Sequence, residues 1–447
     1  MNVLCRSGVA MLLILIVLVP AFSEEAPQPE PLSPGEAVSL ALQNNPSLRE
    51  AEGKNAASLA AIDRTQSPQL LQLKLDSRFS DVSKLPSITL PGGAPTLTLG
   101  SKDTWLTTLT AQKVIYSGGR LEALVGQATN VAKAAEATSE RTRQLVAFGA
   151  ERAFLLLLAA QQGEDVAQQA LVAAEEHLAV AESRYEAKAV PRFDVLRAEV
   201  QVEQSRQELI QAQSAIETAH AALLQALGLH GRSFTAVETG LPTNAEIPTL
   251  DEALRLAYQQ RPEVQALDRQ LGAAGEGIRA ARAEARPTLG LAADYQLASP
   301  ESPFQFNRWS VAAVLSLPIL DGGNAKAKQR EAEAQRDQVM AARDSLLDSV
   351  ESEVTQSHAR AVSAAAQIEV ARKQVELAEE MLRVAKVRYE GGIATPTETA
   401  DSLATLAGAR QGLTRALAEW GIARAELRFA MGSQVSGADA RQEEAPK

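Results

Sequence analysis

Glu398 and Asp401 are the residues of this chain best spaced for shared chemistry. At i and i+3 the two carboxylates lie on one face of a helix. What they could do together is electrostatic, the attraction of cations; alone on a helix, such a pair is ordinarily a solvated face. No catalytic set accompanies them. His177, His220, His230 and His358 are scattered along helix-forming tracts without ligand spacing, and no Gly-Gly pair sits in a G-x-x-x-x-G-K-S/T phosphate loop. The expectation is a protein that is not an enzyme and holds no cofactor and no metal.

The elements that must position the acids follow from the composition. The chain has 447 residues, a formal charge of −11 and only 4% aromatic residues. The acidic balance argues against a nucleic-acid partner. Ala, Gln, Glu, Leu and Arg dominate the middle of each half, the composition of long helices and coiled coils. At the N-terminus, Arg6, the apolar run Val9–Phe22 and the small residues of Ala21-Phe22-Ser23 read as a signal peptide over 1–23. The run is too short and wrongly flanked for a membrane span. Cys5 precedes the run and leaves with it, so the exported chain is expected to carry no thiol and no disulfide.

The sequence is one unit written twice. Arg184-Tyr185-Glu186 recurs as Arg388-Tyr389-Glu390, 204 residues on, and at the same offset Leu223–Gly228 matches Leu427–Gly432 and Gly118-Gly119 matches Gly322-Gly323. Upstream, Glu36-Ala37 and Pro46 match Glu252-Ala253 and Pro262 at an offset of 216. The first unit therefore carries about 12 extra residues, which fall in the Pro/Gly-rich stretch Lys84–Ser101, read as a loop. The organisation predicted is a linker over 24–33, a first repeat over 34–230, a connector over 231–248, a second repeat over 249–433 and a loose tail over 434–447.

Each unit holds a proline-free tract, Gly118–Ala187 and Gly322–Gly391, that amounts to roughly 100 Å of helix. A shorter helix returns after each Arg-Tyr-Glu. Leu406, Leu413, Trp420 and Leu427 recur every seven residues with Ala409, Ala416, Ala423 and Ala430, and the first repeat has Val202, Leu209, Ile216 and Leu223 in the same places. A 3.5-residue period predicts left-handed coiled-coil packing.

Four segments alternate as strands, at about 69–80, 103–116, 287–298 and 307–320. In the first, Leu71, Leu73, Leu75 and Phe79 oppose Gln72, Lys74, Asp76 and Arg78; in the last, Trp309, Val311, Leu315 and Leu317 oppose Ser310 and Ser316. About ten residues is the span of a tilted membrane strand. Four strands cannot close a barrel, and an open edge in lipid leaves backbone groups unpaired, so copies must pool strands; three copies would supply twelve. The alternative is a periplasmic coiled-coil spacer without a pore, which has no reason to keep apolar strand faces of membrane height.

The ordered duplicate of strand, strand, Gly-Gly, long helix, Arg-Tyr-Glu break, returning helix and Ala-Leu/Met-Gly resembles the outer-membrane efflux protein (TolC-like) family, over about residues 34–433. The fold this implies is mainly α with a membrane β part: a duplicated unit whose long helices form a coiled-coil α-helical barrel across the periplasm, and whose four strands join a trimeric 12-stranded outer-membrane β-barrel. The implied function is that of the passive exit duct of a tripartite efflux or type I secretion system. The implied partners are two further copies, a periplasmic adaptor and an inner-membrane pump. Each Arg-Tyr-Glu break would be a hairpin turn at the periplasmic tip. There Arg184, Tyr185, Glu186 and Lys188, and Arg388, Glu390, Gly391 and Gly392, would meet the adaptor. Gly391-Gly392 would supply the freedom of the second turn, while Lys188 stands where the family prefers glycine. Glu398 and Asp401 would face the pore as stacked rings that favour cations. Tyr389 would hydrogen-bond Asp194 as a latch, and Ala394 stands where members often carry a second latch, an arginine.

Overall fold

The computed structural model describes residues 30–433, apart from 89–96, 99–101, 238–245, 299–306, 392 and 394. The expected signal peptide, most of the N-terminal linker, the C-terminal tail, Gly392 and Ala394 lie outside the described residues.

The first repeat opens with β1 (Glu30–Leu32), α1 (Pro34–Asn44) and α2 (Pro46–Gln66). Ser33 and Glu36 form a reciprocal cap on α1: the Glu36 N–H donates to the Ser33 hydroxyl at 3.3 Å, and the Ser33 N–H to the Glu36 carboxylate at 2.9 Å. Pro46 then stands at the first position of α2, where its missing N–H costs nothing. Strands β2 (Gln72–Asp81), β3 (Ser87–Ile88), β4 (Leu97–Thr98) and β5 (Asp103–Tyr116) follow. The Lys84–Ser101 stretch is thus not wholly loop, since β3 and β4 pair antiparallel within it.

Helix α3 (Arg120–Glu186) is 67 residues long and is answered by α4 (Arg192–Leu227). After β6 (Phe234–Ala236) the plan repeats with α5 (Leu250–Gln260), α6 (Pro262–Ala283), β7 (Thr288–Ala298), β8 (Arg308–Ser316), α7 (Asn324–Glu390), again 67 residues, and α8 (Pro396–Ala430). Both long helices start from the same left-handed pair, Gly118 and Gly119 at φ 66° and 88°, Gly322 and Gly323 at φ 66° and 87°. A Cβ on Gly118 would meet the Arg286 Cβ at 2.7 Å, so both the conformation and the close approach require glycine.

Two elements depart from expectation. The linker and connector are not featureless, because β1 and β6 pair in parallel and bury Leu32, Phe234 and Ala236 against Ala150, Phe154, Leu223 and Leu227. Three-residue strands are too short to show a period. The last strand ends at Ser316 rather than near 320. Pro318 has no N–H for a ladder, whereas Val114, its counterpart in the first repeat, lets β5 run on to Tyr116.

Each repeat has its own core. The second joins α5, α7 and α8 through Val350, Val354, Trp420 and Leu427. The predicted heptad positions supply it: Ala416, Trp420, Ala423, Leu427 and Ala430 are all buried.

Candidate functional site

Two regions hold the residues that the sequence singles out, the strand sheet at one end and the helix tips at the other. The sheet runs β2-β5-β7-β8, all antiparallel. Register puts Leu75, Leu109, Tyr295 and Trp309 in one row, and Leu73, Ala111, Ala293 and Val311 in the next. These rows lie on one face. That face is exposed although apolar, with Leu75 at 68% and Trp309 at 72%. The other face is polar and bonds to itself: Gln112 donates to Gln72 at 2.9 Å, Arg308 to Gln296 at 3.2 Å and Ser310 to Asp294 at 3.3 Å. Phe79 and Trp105 pair at the end of the strands remote from the helices, their rings 6.1 Å apart, while Tyr295 and Trp309 pair four residues nearer the helices, level with Leu75 and Leu109. Aromatic residues bordering an apolar band are the pattern of a membrane–water interface. Strands β2 and β8 are edges among the described residues.

At the first tip, α3 ends in a Schellman turn. The Lys188 N–H donates to the Tyr185 carbonyl and the Ala189 N–H to the Arg184 carbonyl, both at 2.9 Å. The turn needs a left-handed residue, and Lys188 takes it at φ 60°, the one non-glycine with positive φ among the described residues. Tyr185, Glu186 and Lys188 are exposed. Pro191 precedes α4, and Asp194 lies in its first turn, where a carboxylate complements the helix N-terminus.

The second tip repeats the turn: the Ile393 N–H donates to the Arg388 carbonyl at 2.9 Å. Gly391 caps the helix at φ −74°, a value open to any residue, so the conformational freedom expected of it is not used there. Gly392, the counterpart of Lys188, and the Glu390 side chain lie outside what the structure describes. Glu398 does not stand free. Its carboxylate accepts from the Thr395 N–H at 3.5 Å and meets Arg388 at 3.3 Å, so its charge is shared with the helix cap and a cation. Asp401, one turn on, is exposed.

Tyr389 departs most from expectation. It is 4% exposed, and its hydroxyl has no hydrogen-bond partner among the described residues; the bond to Asp194 is not formed. The ring is held instead from α3. The Arg184 guanidinium lies 4.0 Å from the ring centroid, and the His177 ring sits 5.6 Å away, tilted 55°. Arg184, expected at the outer contact surface, is half-buried against the second repeat. His177 is 8% exposed. Burial first, then the charges of Lys386 and Arg184, hold its imidazole below the ordinary histidine value. Two other histidines fasten connecting segments: His220 accepts from the Phe234 N–H at 3.0 Å, and His358 lies 3.0 Å from the Pro248 carbonyl; His230 is exposed.

Midway along the helices is a buried ionic joint that sequence reading passed over. Arg261, 1% exposed, donates to the Ala430 carbonyl at 2.6 Å and to Glu353 at 2.7 Å, and lies 3.3 Å from Glu263. Arg141 on α3 meets Glu263 at 3.1 Å, donates to the Phe429 carbonyl at 3.1 Å and covers the Phe429 ring at 3.6 Å. Burial lowers the pKa of Arg141, with Glu263 opposing. The clue was positional: Asn45 and Arg261 each precede a helix-starting proline at equivalent places in the repeats, and Asn45 likewise donates to the Ala226 carbonyl, at 2.9 Å.

A family model described as outer membrane efflux protein matches residues 37–229 and 253–433. The chain belongs to the outer membrane efflux protein family. Within the family's wider company, it is 26% identical over 326 residues to protein CyaE of Bordetella pertussis, covering 71% of this chain and 67% of that one. It is 29% identical over 312 residues to the solvent efflux pump outer membrane protein SrpC of Pseudomonas putida, covering 66% and 63%. The fold matches that of CusC, a transmembrane channel, with a TM-score of 0.77 at 22% identity over 89% of this chain and 91% of that one. It matches the outer membrane protein VceC of Vibrio cholerae at 0.74 and 20% identity over 90% and 96%. As a member of this family, the chain resides in the outer membrane and extends into the periplasm.

Proposed function

We propose that three copies of this chain form a passive exit duct, a β-barrel in the outer membrane continued by a helical tunnel across the periplasm. The observation that carries the reading is the four-stranded sheet with two open edges and an exposed apolar face, standing at the end of two 67-residue helices. In lipid those edges cannot stay unpaired. Strand β8 of one copy pairs with β2 of the next until the ring closes, a head-to-tail contact. The duct performs no catalysis; energy comes from an inner-membrane pump, joined through a periplasmic adaptor that docks on the exposed tips around Tyr185, Glu186 and Lys188 and around Arg388, Glu390, Gly391 and Gly392. The relatives named for solvent efflux support small apolar cargo. In this reading Asp401, with Glu398 beside it, lines the narrow periplasmic end.

The test is the state of the protein in the cell envelope. A heat-sensitive trimer extracted by detergent from the outer-membrane fraction is expected. Recovery as a soluble monomer without detergent would return the spacer reading.

A further inference from the structure

The α3–α4 and α7–α8 hairpins lie together near their tips, and the hydrogen bond from Tyr389 to Asp194 is not formed. Further along, Arg410 of α8 donates to Gln169 of α3 at 2.7 Å; close to the tip the link is the Tyr389 ring, reached from α3 by Arg184 at 4.0 Å and by His177 at 5.6 Å. Arg184 and His177 are seven residues apart, two turns on one face of α3, so both reach the same ring. We propose that Arg184, Tyr389 and His177 form a clamp that holds the two hairpins of each subunit closed, and that protonation of His177 releases it. This deepens the duct reading, in which the tip is the gate.

The clamp requires a neutral imidazole. His177 is almost fully buried, and the two side-chain charges that act on it most are both cations, Lys386 from α7 and Arg184 from its own helix. A proton on His177 adds a third cation to this cluster. The Tyr389 ring does not compensate, because Arg184 already occupies its face. Separating the hairpins returns His177 to water and to its ordinary value, about 6.5. The closed form therefore binds the proton more weakly than the open form. Closure is complete above that value and is lost progressively as pH falls toward the depressed value of the closed state. One proton per subunit allows the open-to-closed ratio of each tip to rise at most about tenfold per pH unit. The opening responds to acidification of the periplasm.

The experiment uses full-length trimers with nitroxide labels on Glu186→Cys and Ile393→Cys, one on each hairpin tip. The label separation is read by pulsed electron resonance, and single-channel conductance is read in parallel, from about pH 7.5 to about pH 5, a range that brackets the ordinary histidine value. The wild-type separation and conductance are expected to rise on acidification, and His177→Gln to abolish that response. Tyr389→Ala and Arg184→Ala are expected to open the tip at neutral pH, and the ring-keeping Tyr389→Phe to rescue what Tyr389→Ala loses. An acid response that survives in His177→Gln overturns the switch. Opening of Tyr389→Phe to the extent of Tyr389→Ala overturns the clamp and returns the tip to a hydroxyl latch. The two readouts separate the two readings. A pH-dependent separation without current leaves the clamp and removes the duct; current with no pH-dependent separation leaves the duct and removes the clamp.

Discussion

Arg261 holds the carbonyl of Ala430 at 2.6 Å, and so ties the start of α6 to the end of α8. The last carbonyls of a helix have no partner within it, and a cation placed there satisfies one and complements the helix dipole. The same guanidinium is the counter-charge of Glu263 and Glu353. Removing it with Arg261→Leu leaves Glu353 without this partner, Glu263 with Arg141 alone and the Ala430 carbonyl unmet, and is expected to cost about 1.5–3 kcal/mol. In the first repeat Asn45→Ala loses only a neutral bond and a helix cap, about 1–2 kcal/mol. The ranking is checked by thermal dissociation of the trimer in detergent. Equal effects would mean that the ionic joint contributes no more than a cap.

Lys188 carries a backbone cost that a glycine in its place would not. A left-handed φ on a side-chain-bearing residue costs about 1–2 kcal/mol, and Lys188 sits at φ 60°. Lys188→Gly is therefore expected to tighten the first turn by up to about that amount, and a β-branched Lys188→Val to loosen it. Limited proteolysis at the tip reads local opening. Slower cleavage in the glycine variant is expected, and faster cleavage would show that the lysine side chain stabilises the turn through its own contacts.

The duplication, the strand faces and the tip turns are legible in the sequence because each rests on local spacing: a fixed offset, a period of two, a period of 3.5. The register bears this out, since the hairpin β2–β5 maps onto β7–β8 at the offsets read from Gly118 and Pro46. What stays hidden depends on meetings across the chain. Arg141 and Arg261 look like any other arginines until Glu263 and the end of α8 are brought to them. His177 has no ligand spacing because its partner, Tyr389, lies in the other repeat. Glu398 reads as a gate carboxylate by its place after the turn, yet the same place makes it the cap of α8. The strands β1 and β6 are short and far apart, and only their burial beside Phe154 reveals them.

In the proposed ring, repeat symmetry predicts how one copy meets the next. Within the chain, β5 pairs with β7 so that Leu109 stands opposite Tyr295. The equivalent residues at the two open edges are Ala313 on β8 and Phe79 on β2. Those two positions are expected to face one another across the subunit boundary. A one-residue slip would turn every side chain to the wrong face. Cysteines at Ala313 and Phe79 should cross-link subunits, in a chain whose only native cysteine is Cys5, whereas Ala313 with Ser77 or Asp81 should not. Cross-linking through Ser77 or Asp81 instead would disprove the register while leaving the ring intact, and no cross-link from any pair would count against the ring itself.

Glu398 and Asp401 should not be equivalent. Glu398 shares its charge with Arg388 at 3.3 Å and with the N-cap of α8, while Asp401 is exposed one turn further along. In a trimer whose narrow end is lined by this helix face, the free charge at the constriction is three Asp401 carboxylates. Three like charges held close together favour bound cations over an empty ring. Reconstituted channels should therefore be cation-selective, and divalent or trivalent cations added on the periplasmic side should block them. Asp401→Ala is expected to remove most of the block with no loss of trimer, because an exposed side chain gives up no core contact. Glu398→Gln should act differently. It weakens the ion pair to Arg388, an exposed pair worth about 0–1 kcal/mol, and loosens the second turn more than it changes selectivity. Single-channel currents with and without a trivalent cation separate the two. A block that persists in Asp401→Ala and vanishes in Glu398→Gln would place Glu398 in the pore, and a block unchanged in both would leave this helix face as ordinary solvated surface.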